Sequence, residues 1–167
     1  LKPKDFAASV YHCVDRIQDQ PGMPVEKIEV NEQALSRAVD VVFVTSPDLQ
    51  ATHRCWNPQT HLFGNVADHQ HFSRARPGSD HACLEVPSLL RTLSHPRLLF
   101  MGAIDAYKLD LSVLLRLAQC HPNWSFVLIG PVGECDPSTD VGALQACSNV
   151  HFVGPVAYGD LPNWCAH

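Results

Sequence analysis

The chain has little charge, few aromatics and no organised cysteine pattern. Charged residues make up 17% of it and aromatic residues 8%. The net charge is -5 with histidine neutral. Nucleic-acid binding needs a basic face, so no nucleic-acid partner is expected. No apolar run approaches the roughly 20 residues that span a bilayer. The seven cysteines, Cys13, Cys55, Cys83, Cys120, Cys135, Cys147 and Cys165, are scattered, odd in number and free of any C-x-x-C pair. That spacing argues against a disulfide framework and a structural zinc site. The expectation is reduced thiols, mostly packed as small apolar groups. G-x-G-x-x-G and G-K-[ST] are also missing, so dinucleotide binding and P-loop ATP hydrolysis lose support.

What is there is globular: hydrophobic residues are 46%. "VVFVT" at Val41–Thr45, "RLLFMG" at Arg97–Gly102, "SFVLIG" at Ser125–Gly130 and "VHFVG" at Val150–Gly154 read as strands. Their apolarity is continuous rather than alternating, which suits parallel strands covered on both faces. "SVYHCVD" and "HLFGN" are weaker strand candidates. Between them, "VEKIEVNEQALSRAVD" places Ile28, Ala34, Leu35 and Ala38 near helical spacing. "LDLSVLLRLAQCH" does the same with Leu111, Leu114, Leu115 and Ala118, and Asp110 falls at its first turn. Strands alternating with helices predict an α/β fold of βαβ units. Residues 73–96 carry prolines and serines without periodicity and read as a linker between residues 1–72 and 97–167. The chain begins at Leu1, and three strands make a narrow sheet, so both domains are expected to be incomplete parts of a longer enzyme.

In open parallel sheets ligands bind beyond the carboxyl ends of the strands. Three loops there begin with glycine: "GAIDAYK" at Gly102, "GPVGECDPS" at Gly130 and "GPVAYGD" at Gly154. Lys108 stands at a predicted helix start, where N–H groups and the dipole favour a phosphate. A diphosphate clamp and a solvated surface lysine both fit that spacing. Asp105 and Asp110 flank it, suited to pairing with the lysine or capping the helix. Metal binding has weaker support: His69 with His71, and His81 with Cys83, supply no set of four ligands. Ser46 near Asp48 and His53 reads as a helix N-cap with Pro47 at the first position, rather than as a nucleophile.

These segments, in order, resemble a family. "RAVDVVFVTSPDLQATH" is similar to the "rADlVfatSpaL" segment of bacterial glycosyltransferases of the GT-B fold, and "HLFGNVADHQHF" to their "hvlpNGVDxxxF" crossover. In the latter Asn65, Asp68 and Phe72 match, while Gly64 and Val66 depart. "PRLLFMGAIDAYKLDLSVLLRLAQCHPNWSFVLIGPVG" resembles "pvigyvGaldewkldlelLaxlAxxrPdwsfvliGpvg", and "NVHFVGPVAYGDLPNW" resembles "NVhflGpvpyeeLPxyl". The likeness covers nearly the whole chain and is nearest to the surface-polysaccharide and teichuronic-acid-type subgroup.

The resemblance implies two Rossmann-like domains in GT-B architecture, the second binding a nucleotide-sugar and the first an acceptor. It implies Gly102 and Lys108 at the donor phosphates, and Gly130, Val153 and Gly154 beside the nucleotide. The arginine common shortly after that first glycine is absent, with Ile104 and Asp105 in its place. Asp15, in "YHCVD", matches a stretch that lines the cleft. The acidic E-x7-E-like segment of the family would follow His167. The implied activity is transfer of a hexose from a UDP- or GDP-sugar to a glycan or lipid-linked acceptor, leaning towards retention. No metal or other cofactor is obligatory, and the implied setting is the cytoplasm, with peripheral association at the inner membrane face. The competing expectation is a non-catalytic α/β module that binds a nucleotide or partner. An NAD-type oxidoreductase is disfavoured by the missing glycine fingerprint.

Overall fold

A computed structural model describes residues 6–78 and 84–167. The chain divides into two compact units, Leu1–Ala67 and Asp68–His167. In the first, β1 (Val10–Cys13), β2 (Val41–Val44) and β3 (Thr60–Leu62) form a parallel sheet in chain order. α1 (Val25–Ala38) connects β1 to β2, and α2 (Pro47–Arg54) connects β2 to β3. Ser46 caps α2 as expected: its side chain accepts from the Leu49 N–H at 3.2 Å, with Pro47 in the first turn. Cys13, Val42, Val44 and Leu49 form the buried cluster.

The helix at α1 is where the spacing placed it, but its expected face is only partly the buried one. Ile28 and Ala38 are half-buried, Ala34 and Leu35 are exposed, and the fully buried residues are Glu32 and Ser36. The most deeply packed positions are polar, which the apolar pattern does not reveal.

In the second unit, β4 (Arg97–Met101), β5 (Ser125–Ile129) and β6 (Val150–Gly154) form another parallel sheet in chain order. α4 (Leu111–Cys120) and the short α5 (Gly142–Gln145) lie between the strands in sequence. The predicted face of α4 packs as expected, with Leu111, Leu114, Leu115 and Ala118 against Phe126 and Leu128. Val127 and Ile129 of the same strand face Leu90 on the other side. β5 is thus buried along its whole length, which explains its unbroken apolar run.

The layer on that second face corrects the linker reading. Leu84 and Leu90 are buried, and Val86 and Leu93 pack with Leu90, so residues 84–93 contribute side chains to the core of the second unit while most of the segment stays at its surface. Apart from one 3-10 turn at Leu90–Thr92 the segment has no periodic element, because it covers the sheet through isolated apolar side chains. The division of the chain falls after Ala67, and residues 68–72 belong to the second unit. The short α3 (His69–Phe72) and α6 (Leu161–Cys165) complete that unit.

Both units solve one backbone problem alike. The Asn57 side-chain amide donates to the carbonyls of Ser36 and Val39, both at 2.9 Å, closing the end of α1. The Asn149 amide donates to those of Ala118 and His121, at 3.0 and 3.1 Å, closing the end of α4. No helix among the described residues is long and apolar enough to cross a membrane.

The carboxyl edge of the second sheet depends on the absence of one side chain. A Cβ on Gly130 would lie 2.0 Å from the Gly102 carbonyl oxygen, and Gly130 has φ +138°. Gly154, at φ +80°, has nothing within 4 Å of such an atom. Gly130→Ala is expected to cost about 2–4 kcal/mol through clash and strain, and Gly154→Ala about 1–2 kcal/mol through φ alone. Urea unfolding of the two variants checks the order, and equal losses would refute the close-approach account.

Candidate functional site

The three loop glycines meet at one edge. The Gly102 N–H donates to the Ile129 carbonyl at 2.9 Å, and the Gly130 N–H donates to the Gly154 carbonyl at 3.0 Å. Beyond this row, the Ile104 N–H donates to Pro131 O at 2.8 Å and the Gly133 N–H donates to Ile104 O at 3.1 Å, so the first two loops stay paired past their strands. The result is a rim of backbone without side chains at Gly102, Gly130 and Gly154.

Asp105 locks these loops together. Its side chain is fully buried, and Oδ1 accepts from the N–H groups of Cys135 and Asp136, both at 3.3 Å. Oδ2 has no hydrogen-bond donor but faces the Lys108 ammonium at 3.8 Å, a charge contact rather than a hydrogen bond. Lys108 is itself partly exposed, with Nζ 5.3 Å from the Tyr107 ring centroid and 3.7 Å from Cys135 Sγ. Tyr107 raises its pKa most, and Cys135 and Asp105 act in the same direction. The ammonium is therefore held at the rim as a cation.

The start of α4 is less open than its sequence implies. Asp110 is its N-cap, and the carboxylate accepts from the N–H groups of Ser112 and Val113 at 3.1 and 3.0 Å. Those bonds hold the Asp110 carboxyl below its ordinary pKa, the Ser112 side chain contributing most. Two of the donors a phosphate would use are thus already taken by a carboxylate.

A cavity of about 690 Å³ lies beside the loop after β6, lined by Val156, Ala157, Asp160, Trp164 and, from the covering segment, Arg91. Gly102, Gly130 and Lys108 do not line it. Val153 is a packing residue here, set against the cluster of Leu90, Val127 and Ile129.

Asp15 is exposed and belongs to the first unit. Its backbone carbonyl, rather than its carboxylate, accepts from the Ile17 N–H at 3.1 Å. Of the histidines read as metal candidates, His71 stacks on Tyr158 at 4.6 Å and bonds its carbonyl at 2.9 Å. His81 and Cys83 lie outside the described residues. Cys55, Cys120, Cys135 and Cys165 are exposed, so the expectation that the thiols are mostly packed fails for these; Cys13 is buried.

The first unit holds a group that spacing did not reveal. Cys13, Glu32 and His53 bring one ligand atom each to within 4.8 Å of one another. Tyr11 O–H and Cys13 S–H both donate to Glu32 Oε1, at 2.9 and 3.3 Å. His53 Nδ1 bonds Ser36 Oγ at 3.0 Å. Burial pushes the Cys13 thiol up to about 11, and Glu32 adds to the rise. Burial also lowers His53, against the pull of Glu32, and raises Tyr11. A protonated thiol beside a neutral imidazole is a poor nucleophile. The sequence signal was a glutamate and a serine on the helix side that packs inward.

No family model and no curated protein matches the chain.

Asp105 gives a direct test of how the rim is built. Asp105→Asn keeps an acceptor for the Cys135 and Asp136 N–H groups, whereas Asp105→Ala leaves both without one. The alanine variant is expected to lose about 1–3 kcal/mol more than the asparagine variant in chemical unfolding. Equal losses would show that the charge opposite Lys108, and not loop anchoring, is what matters.

Proposed function

We propose that the chain is part of a nucleotide-sugar-dependent glycosyltransferase of GT-B type, with the second unit on the donor side. The intact enzyme moves a hexose from a UDP- or GDP-sugar to a glycan or lipid-linked acceptor in surface-polysaccharide synthesis, on the cytoplasmic side of the membrane. The observation that carries this reading is the glycine rim with a lysine cation at the carboxyl edge of a parallel sheet. A negatively charged diphosphate would meet the Lys108 ammonium at this edge, beside loops that carry no side chain at Gly102, Gly130 and Gly154. The cavity beside the loop after β6 has a volume in the range of small-molecule sites, although the rim glycines and Lys108 do not line it. Positive charge at the leaving diphosphate lowers the barrier to its departure. No resident metal is required for that step.

The two acidic neighbours limit the clamp. Asp105 offsets part of the Lys108 charge, and Asp110 holds two N–H groups of α4. They favour modest affinity, and they give specific weight to a second reading: an α/β module that binds a nucleotide or partner without catalysis.

Titration of UDP and GDP into the full-length protein, followed by calorimetry or by tryptophan fluorescence, tests the donor site. One nucleotide should saturate the protein, and Lys108→Ala should weaken it about tenfold, or 1.4 kcal/mol. If neither nucleotide saturates, the donor reading fails. If the variant binds as tightly as the wild type, the role of Lys108 fails alone. Sugar transfer or donor hydrolysis with the full-length enzyme separates the enzyme from the binding module.

A further inference from the structure

We propose that Cys13, Glu32 and His53 form a binding site for one zinc-type divalent cation in the first unit. The site ties the end of β1 to α1 and α2 and is separate from the nucleotide reading of the second unit.

The three side chains are 2%, 9% and 0% exposed, respectively. Their chemistry is a thiol, a carboxylate and an imidazole, the donor set that zinc accepts most readily. Two of the three separations match a shared ion closely, all three ligand atoms lie within 4.8 Å of one another, and a water would take the fourth position. Cys13 Sγ lies 3.3 Å from Glu32 Oε1, and His53 Nε2 lies 3.5 Å from that same oxygen. Tetrahedral zinc, with bonds of about 2.3 Å to sulfur and about 2.0–2.1 Å to nitrogen and oxygen, sets its ligand atoms about 3.3–3.6 Å apart.

The independent observation is His53 Nε2. It is buried and has no hydrogen-bond partner, although the other ring nitrogen is held by Ser36 Oγ. A buried orphan nitrogen is costly, and here it points at a carboxylate oxygen too far away to bond well. An ion between them satisfies both. Ser36 then plays the part that an outer hydrogen-bond partner plays at most metal-bound histidines, fixing the ring's orientation. Glu32 is explained in the same way, because a carboxylate on the inward face of a helix needs compensation beyond two neutral donors. On binding, the metal–sulfur bond replaces the thiol S–H bond and the proton leaves to solvent.

The consequence is mechanical. Cys13 is the last residue of β1, and the turn that follows holds Asp15. A bound ion would fix where that turn leaves the sheet.

Metal analysis of protein purified without chelator, followed by Co²⁺ substitution during refolding, tests the site. The expected result is one equivalent per chain and a near-ultraviolet thiolate-to-cobalt charge-transfer band. Chelation should lower the melting temperature. His53→Gln and Glu32→Gln, the latter keeping an acceptor for the Tyr11 hydroxyl, should each weaken binding at least about 100-fold, the upper end of what loss of an outer partner costs. Cys120→Ser, at an exposed thiol of the second unit with no part in either site, should change nothing. Absence of saturable Co²⁺ binding by the wild-type protein overturns the proposal. So does a charge-transfer band that survives both Gln variants or disappears in Cys120→Ser. Because the wild-type measurement stands alone, a variant that fails to fold does not rescue the idea.

Discussion

The edge of the second sheet depends on one buried carboxylate. Asp105 sits where two loops would otherwise separate, and it supplies the acceptor that the N–H groups of Cys135 and Asp136 need. Its other oxygen lies 3.8 Å from the partly exposed Lys108 ammonium, an attraction that favours that position of the side chain. A buried charge is tolerated only when hydrogen bonds and an opposite charge surround it, and here both come from the two loops it joins. The carboxylate that closes the loops is thus also the one that faces the lysine. The same contact restrains its reach, since part of its field is already answered.

Glu32 has a related place in the first unit. It too is a carboxylate removed from solvent, drawing a strand and two helices together through Tyr11, Cys13 and His53. The compensation differs. Asp105 has a cation opposite it, whereas Glu32 accepts from two neutral donors and faces, at 3.5 Å, a buried imidazole nitrogen with no hydrogen-bond partner. Of the two carboxylates, Glu32 is thus the one with room for an added positive charge.

What could be read from the sequence followed how apolar the buried surfaces are. β5 is covered on both faces, so its run of apolar residues announced it. α4 packs through Leu111, Leu114, Leu115 and Ala118, and periodicity found that face. α1 packs through Glu32 and Ser36, so the same rule chose Leu35 and missed. Residues 84–96 were misread for the complementary reason. Leu90 fills the core from an irregular segment whose composition resembles a tether. The glycine rim was legible as three separate turns, but the approach of Gly130 to the Gly102 carbonyl is a long-range fact that no local pattern carries.

The polar cluster was missed because its members are distant in sequence and each has an ordinary local reading. His53 lies in the last turn of α2, where a histidine suits the helix dipole. Cys13 ends a strand and resembles any small apolar residue there. Glu32 looks like a solvated helix position until the helix is seen to turn it inward. Functional and structural polar residues share that property: they interrupt the apolar pattern that identifies a buried face. An inward face that breaks its expected pattern at two positions a turn apart, as at Glu32 and Ser36, is therefore itself a signal. It marks where the fold has given up apolar burial for directed bonds, and the side chains facing it across the core are where the chemistry should be sought.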